Sequence, residues 1–309
     1  MTIPPEPLAA PGSERLAPLS ALGGETAASR TPAHGWQALR QRWNCMGPEC
    51  NERNVFRAWV KRRPARLQLQ QGWCCSPECF EAAFERLARP LLGGLAAPRR
   101  ARPHRVPLGL LLLSHGTITS AQLRQALAAQ QACGQGRVGE WLVRQGSIRE
   151  DEVAAGVALQ WARPTFPLAQ SQSWHQCRGW APRAVLEALN MLPLHFAAQQ
   201  RRLYVGFTQT VDTTALAALA YIFECKTEAC IVTDSSLHQA FEQMRALPEL
   251  DQIQEVALER TDNPHEIAGM VRQYARYAEA RQVRVASAGP FLWVHIRGGR
   301  VVHLTFKIK

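Results

Sequence analysis

The chain reads as a multidomain α+β protein on three observations. Cysteines crowd near one end, a helical pattern repeats in tandem in the middle, and strand-like and helix-like runs mix in the second half. The parts expected along the chain are a disordered tail over 1–35, a small Cys-bearing unit over 36–92 and a linker over 93–106. A helical tandem-repeat module over 107–163, an α/β extension over 164–248 and a C-terminal helix plus β-hairpin sheet over 249–309 complete it.

Residues 1–35 are rich in Pro, Ala, Gly and Ser without periodicity, the composition of a segment that cannot bury a core. The Cys-bearing unit ends in a helix expected over 77–92, and GGLAAPRRARPHR then reads as a linker because Gly, Pro and Arg break any periodic pattern. Strand-like runs at 202–207 and 229–233 alternate with helix-like runs at 213–223 and 235–245. A helix over 264–281 opens on Pro264 with Asn263 as its cap. Strands are expected at 283–288, 291–297 and 301–308, with Gly298-Gly299 as a two-residue hairpin turn.

Net charge is +11, and residues 37–106 hold 14 Arg/Lys against five Glu. Such a basic face suits nucleic acid, an acidic protein or a phosphate ligand, and equally a solvated surface. The first residues lack a basic start and an apolar h-region, and the longest apolar run, 108–113, is far too short for a bilayer. A cytoplasmic protein without a membrane span is the expectation.

The repeat is the strongest signal. LGLLLLSHGTITSAQLRQALAAQ (108–130) and VGEWLVRQGSIREDEVAAGVALQ (138–160) align without a gap. Gly109 pairs with Gly139, Gly116 with Gly146, Leu123 with Val153, Leu127 with Val157, and Gln130 with Gln160. In each copy a short apolar helix stops at a glycine that takes the left-handed conformation without steric cost. Thr119 caps the second helix of the first copy. Leu123, Leu127 and Gln130 then share one face, and a stripe that ends in an amide is odd for a pure core. That amide can donate and accept at the edge of a flat heterocycle.

The two copies resemble RLGxxLVxxGxxxxxxLxxxLxxQ, the tandem motif of the N-terminal cyclic di-GMP-binding module of MshE-type pilus and type II secretion ATPases. LPL (192–194), LYVGF (203–207) and TDSSLHQAF (233–241) extend the resemblance to about 107–245. It implies cyclic di-GMP as ligand, each copy gripping half of it. The implied contacts are Leu108, Gly109, Leu123, Leu127 and Gln130 from the first copy, with Arg137, Val138, Gly139, Val153, Val157 and Gln160 from the second. Pro107 stands where the first motif Arg belongs, so Arg105 would substitute from two residues upstream. Val for Leu at 138, 153 and 157 trims roughly 0.8 kcal/mol of apolar contact apiece where buried. Arg137 matters most, because a guanidinium fork matches phosphate or guanine acceptors in pairs.

The ATPase half of that family is absent from the motif inventory. Lys61, Lys226, Lys307 and Lys309 follow Val, Cys, Phe and Ile, so no GxxxxGK[ST] loop exists. GQGRVG (134–139) fits GxGxxG but follows a helix rather than a strand. No HExxH and no catalytic constellation is present, and a non-catalytic binding protein is expected.

Cys45-x4-Cys50 and Cys75-x3-Cys79, with Cys74 adjacent, are spaced for tetrahedral zinc held by four thiolates. GWCCSPECFEAAFERL resembles treble-clef fingers, which implies a four-cysteine zinc finger with Cys75 and Cys79 as ligands. A redox dithiol at Cys74/Cys75 and plain buried thiols are the alternatives. Trp36, Trp43, Trp59 and Trp73 would cover this unit or stack on bases. The leading function is a cyclic di-GMP sensor or adaptor, with a secretion or pilus-assembly protein as partner. A zinc-finger nucleic-acid regulator using KRRPAR (61–66) and a ligand-free structural adaptor for a secretion ATPase are the rivals.

Overall fold

The computed structural model of the chain describes residues 45–50, 67–70, 72–96, 105–248, 250–258 and 263–308, all within one unit, Arg40–Lys309. The expected tail, the basic run at 61–66 and Trp36, Trp43 and Trp59 lie outside the described residues. Among the described residues no helix is long and apolar enough to cross a membrane.

A hairpin of two three-residue strands, β1 (Leu67–Leu69) and β2 (Gly72–Cys74), leads into helix α1 (Pro77–Ala96). The helix runs past residue 92 into the stretch read as linker. Pro90 is tolerated within it on an exposed face.

The tandem segment forms two helical hairpins: α2 (Leu108–Ser114) with α3 (Ser120–Cys133), and α4 (Val138–Arg144) with α5 (Glu150–Trp161). Gly116 and Gly146 have φ of 68° and 65° and end the short helices by donating to the carbonyls of Leu113 and Val143. Thr119 and Gln122 form a reciprocal capping box at the start of α3. In the second copy the Glu152 carboxylate accepts from Arg149 N–H at 2.7 Å. Leu112, Ile118, Leu123, Ala126, Leu142 and Ile148 make the module's own core. Its second hairpin is anchored elsewhere, since Ala154, Val157 and Ala158 of α5 belong to the core of the α/β extension.

That extension holds α6 (Arg183–Ala188) and a three-stranded sheet in the order β3-β4-β5. Its strands are β3 (Met191–Ala197), β4 (Arg202–Phe207) and β5 (Lys226–Ile231), with α7 (Thr213–Phe223) crossing between the parallel β4 and β5. Asp212 caps α7 by accepting from Thr214 and Ala215 N–H at 2.9 and 3.0 Å. Helix α8 (Asp234–Ala246) follows. Sequence reasoning missed β3 because Pro193 argues against a strand interior; β3 lies at the sheet edge and its register shifts at Pro193/His195. It started β5 three residues late because Lys226, Thr227 and Glu228 are polar and only partly covered.

The remaining elements are β6 (Ile253–Leu258), α9 (Pro264–Tyr277), β7 (Gln282–Ala288), β8 (Phe291–Arg297) and β9 (Val301–Lys307). They do not form a separate piece. One six-stranded sheet runs β2-β1-β7-β8-β9-β6, so the Cys-bearing unit and the C-terminal segment share a sheet. Helices α1 and α9 pack together on one face, in a core that includes Leu69, Phe80, Phe84, Ile267, Val271, Val283, Leu292, Val294 and Phe306. The split at 36–92 and 249–309 is therefore corrected: a hairpin too short to stand alone is completed by strands some two hundred residues away. The period-two pattern of β7–β9 then sends Arg284, Ala286, Trp293, His295 and His303 to the opposite face, toward the α/β extension.

Helix α9 stops at Tyr277 rather than 281, because Glu279 adopts φ 48°. The β8–β9 turn is three residues long, not two, since Arg297 pairs with Val301. A Cβ on Gly298 would lie 2.3 and 2.4 Å from the carbonyl oxygens of Ala278 and Glu279, which are backbone and cannot step aside. Gly298→Ala is expected to cost about 2 kcal/mol or more. Gly94→Ala, exposed within α1 with open space around it, should be neutral or gain about 0.5–1 kcal/mol. Urea unfolding of both variants checks the pair, and equal midpoints would contradict the close approach.

Candidate functional site

The geometry of the tandem module turns on a reciprocal exchange. Gln130 Nε2, at the end of the first copy, donates to Gly136 O at 2.9 Å in the loop that leads into the second. Gln160 Nε2, at the end of the second copy, donates to Val106 O at 2.6 Å in the loop that leads into the first. Donors and acceptors both stand thirty residues apart. The helices follow the same rule, with α3 packing on α4 and α2 on α5. A simple translation would pass the first copy's contact to the second and onward to a third; mutual contact is the mark of a two-fold relation. The two half-motifs therefore face each other as approximate two-fold mates.

The motif glycines have a packing reason. A Cβ on Gly109 would lie 2.6 Å from Leu123 Cδ1, and one on Gly139 would lie 2.9 Å from Val153 Cγ1. Each missing side chain lets the first helix of a copy sit directly on the second. Leu123 and Val153 thus serve the fold as well as any ligand.

The charged residues sit on these two leading loops. Arg137 is the extended N-cap of α4 and is exposed. Its counterpart by sequence is Pro107, the N-cap of α2. The loop before α2 is served by Arg105 instead, whose guanidinium lies 3.5 Å over the Trp161 ring centroid and donates to Gln160 O at 3.1 Å. Trp161 is a site residue that sequence reasoning missed; the available signal was its place directly after the motif Gln.

The implied contact residues fall into three groups by access. Arg105, Leu127 and Arg137 are exposed; Leu108, Gln130, Val138, Val153 and Gln160 are half-buried; Gly109, Leu123, Gly139 and Val157 are buried. The stripes are not equivalent, for Leu127 is 39% exposed while Val157 is 4% exposed under the α/β extension. One N–H of each Gln amide already holds backbone, so each Gln shapes a leading loop and offers its remaining polar capacity outward. Val106, Leu110 and Leu159, which were not singled out from sequence, add exposed apolar surface to the same module.

A separate cleft of about 570 Å³ lies between the second hairpin and α8, lined among others by Gly139, Val143, Arg144, Val153, Ser235 and His238. It touches the motif at Gly139, Val143 and Val153. Near it the Glu150 carboxylate accepts from Ser235 N–H at 2.6 Å and Oγ–H at 2.5 Å, tying the module to the start of α8.

At the other end of the chain, Cys45, Cys50, Cys75 and Cys79 gather with all four sulfur atoms within 4.8 Å of one another, a group compatible with a metal ion. Cys74, one residue away, is buried in the α1–α9 core with Leu69 and Phe80. Burial is the main reason its thiol is pushed up to about 12, with Cys45, Cys79 and Cys50 adding to it. That is the environment of an inert packing thiol, and it speaks against a Cys74/Cys75 redox pair.

No protein-family profile matches this chain, and no curated protein does. Among solved structures, the chain is similar to MshE with cdg at 26% identity, over 45% of this chain and 99% of that one, with a TM-score of 0.38. It is also similar to the N-terminal domain of XpsE at 17% identity, over 44% and 92% of the two chains, with a TM-score of 0.32. A second crystal form of that domain aligns at 18% identity over 42% and 89%, with a TM-score of 0.27.

Proposed function

We propose that the tandem module binds one molecule of cyclic di-GMP, and that the chain acts in the cytoplasm as a non-catalytic sensor or adaptor of a secretion or pilus-assembly system. The observation that carries this reading is the reciprocal Gln130–Gly136 and Gln160–Val106 exchange. A ligand made of two identical halves is met by a surface made of two matching halves. Arg137 on one leading loop and Arg105 on the other supply cationic forks for the phosphates or guanine edges. Leu127 and the flanking exposed apolar side chains supply surface for the bases. Binding holds the two hairpins together, and a partner protein reads the rigidified module. The module is tied to the rest of the chain through α5 and the Glu150–Ser235 contact, which gives that change a route outward.

The test is calorimetric titration of the full chain with cyclic di-GMP, beside the Arg137→Ala and Arg105→Ala variants. Losing one charged hydrogen-bonding contact costs about 1.5–3 kcal/mol, so each variant should bind roughly ten- to a hundredfold more weakly. Arg300→Ala, in the β8–β9 turn where the side chain donates to Tyr277 Oη, should bind as wild type. Equal affinity of all four proteins would remove the site from this module.

A further inference from the structure

We propose that Cys45, Cys50, Cys75 and Cys79 hold one zinc ion, and that this ion clasps the β1–β2 hairpin onto the edge of the six-stranded sheet. Cys50 Sγ and Cys75 Sγ lie 3.4 Å apart, and Cys75 Sγ and Cys79 Sγ 3.5 Å apart. Four thiolates around zinc at about 2.3 Å stand roughly 3.8 Å apart, a spacing that lies between these two pairs and the 4.8 Å that bounds the whole group. The donor set is all sulfur, and soft thiolates select zinc over magnesium or calcium.

The surrounding backbone is arranged for thiolates. Gly47 N–H and Cys75 N–H both donate to Cys45 Sγ at 3.4 Å, and such outer contacts orient a ligand and spread its charge. A Cβ on Gly47 would lie 2.7 Å from Cys79 Sγ, so this loop reaches the group only as glycine. Ser76 Oγ accepts from Cys79 N–H at 3.2 Å and starts α1 with its N-terminal end at the group.

The ligands come from three pieces: the 45–50 loop, the residue after β2, and the first turn of α1. Four protein sulfurs leave no coordination position for water or substrate, so the ion is structural. Four Zn–S bonds form, four protons pass to solvent, and nothing is oxidised or reduced. Without the ion, strands of three residues each hold the edge of the sheet, and that is marginal.

Metal analysis of the full chain, purified under reducing conditions from zinc-supplied cells, tests the assignment. The expected content is about one zinc per chain, falling at least tenfold in Cys75→Ser and in Cys79→Ser and unchanged in Cys133→Ser and Cys74→Ala. Should the ligand variants fail to fold, a mercurial titration of the wild type serves instead and should release about one zinc as four thiols react. Exchange with cobalt should give the intense visible absorption of a tetrathiolate site. Metal-free wild-type protein, or a disulfide joining two of these four cysteines, would overturn the proposal.

Discussion

Acidification from about pH 7.5 to about pH 5 is expected to destabilise the folded chain by several kcal/mol, well before carboxylates titrate. His303 lies buried between two partners that fix its state. Trp293 Nε1–H can only donate, and it meets Nδ1 at 3.0 Å; Nε2 lies 3.0 Å from Gly179 O, which can only accept. The ring is therefore neutral with its proton on Nε2, and protonation would leave a donor facing a donor. Burial holds its pKa down at about 4 against an ordinary 6.5. His295, its ring tilted against those of Phe223 and His303, is held at about 3, first by burial and then by the repulsion a second proton would meet from His303, Arg284 and Arg297. The unfolded chain takes up these protons as pH falls through 6.5, and the folded chain takes them up only near 4 and 3. Stability is thus complete above 6.5 and is lost as pH falls toward those lower values. At about pH 5 the loss is roughly 2 kcal/mol per histidine. His295→Phe should keep the neutral-pH stability, since Nδ1 is buried with no hydrogen-bond partner among the described residues, and should flatten part of the slope. Urea midpoints at the two pH values measure this; a flat profile would show that the two rings are not held neutral.

Arg284→Ala, on the face between the sheet and the α/β extension, should be strongly destabilising, at about 3 kcal/mol. Its side chain is 7% exposed and its guanidinium donates to the carbonyls of Tyr221 and Ile222 at 2.7 and 2.9 Å. These are C-terminal carbonyls of α7 without a helical partner, and a cation there is favoured by the helix dipole. Glu224, at the cap of the same helix, pairs with Arg284, and that pairing holds its carboxyl below the usual range. The substitution removes the shared cation and leaves the carbonyls buried. Glu224 itself is 63% exposed, so Glu224→Gln should cost under about 1 kcal/mol. Equal losses in the two variants would place the stabilisation in the ion pair rather than in the carbonyl contacts.

The helical module was legible in the sequence because its signals are local. Glycine stops and a heptad-scale apolar stripe are read within one copy, and β4, α7 and β8 have the bounds that their patterns imply. What stayed hidden depends on distant chain. The strands β1 and β2 are three residues each, β6 has no fully buried residue to mark a pattern, and β1 is made a strand by hydrogen bonds to β7. The two motif glutamines were read as ligand groups from their shared face, yet helical phase cannot say what the opposite copy presents. Their hold on Gly136 and Val106 is visible only once the two hairpins are docked. Arg105 was placed at the site as a stand-in for the motif Arg; that it rests on Trp161 could not be read from a spacing. The four cysteines were legible as a set because two close pairs suffice to state a tetrahedral donor group. Their role in a sheet was not, since it is set by residues of the other end of the chain.

If two matching half-motifs close around one two-fold ligand, equilibrium dialysis of the full chain against labelled cyclic di-GMP reads that closure most directly. Retention saturating at about one ligand per chain, displaced by unlabelled cyclic di-GMP and not by GMP, is the predicted result. Retention of GMP and cyclic di-GMP alike, two ligands per chain, or no retention at all would contradict it.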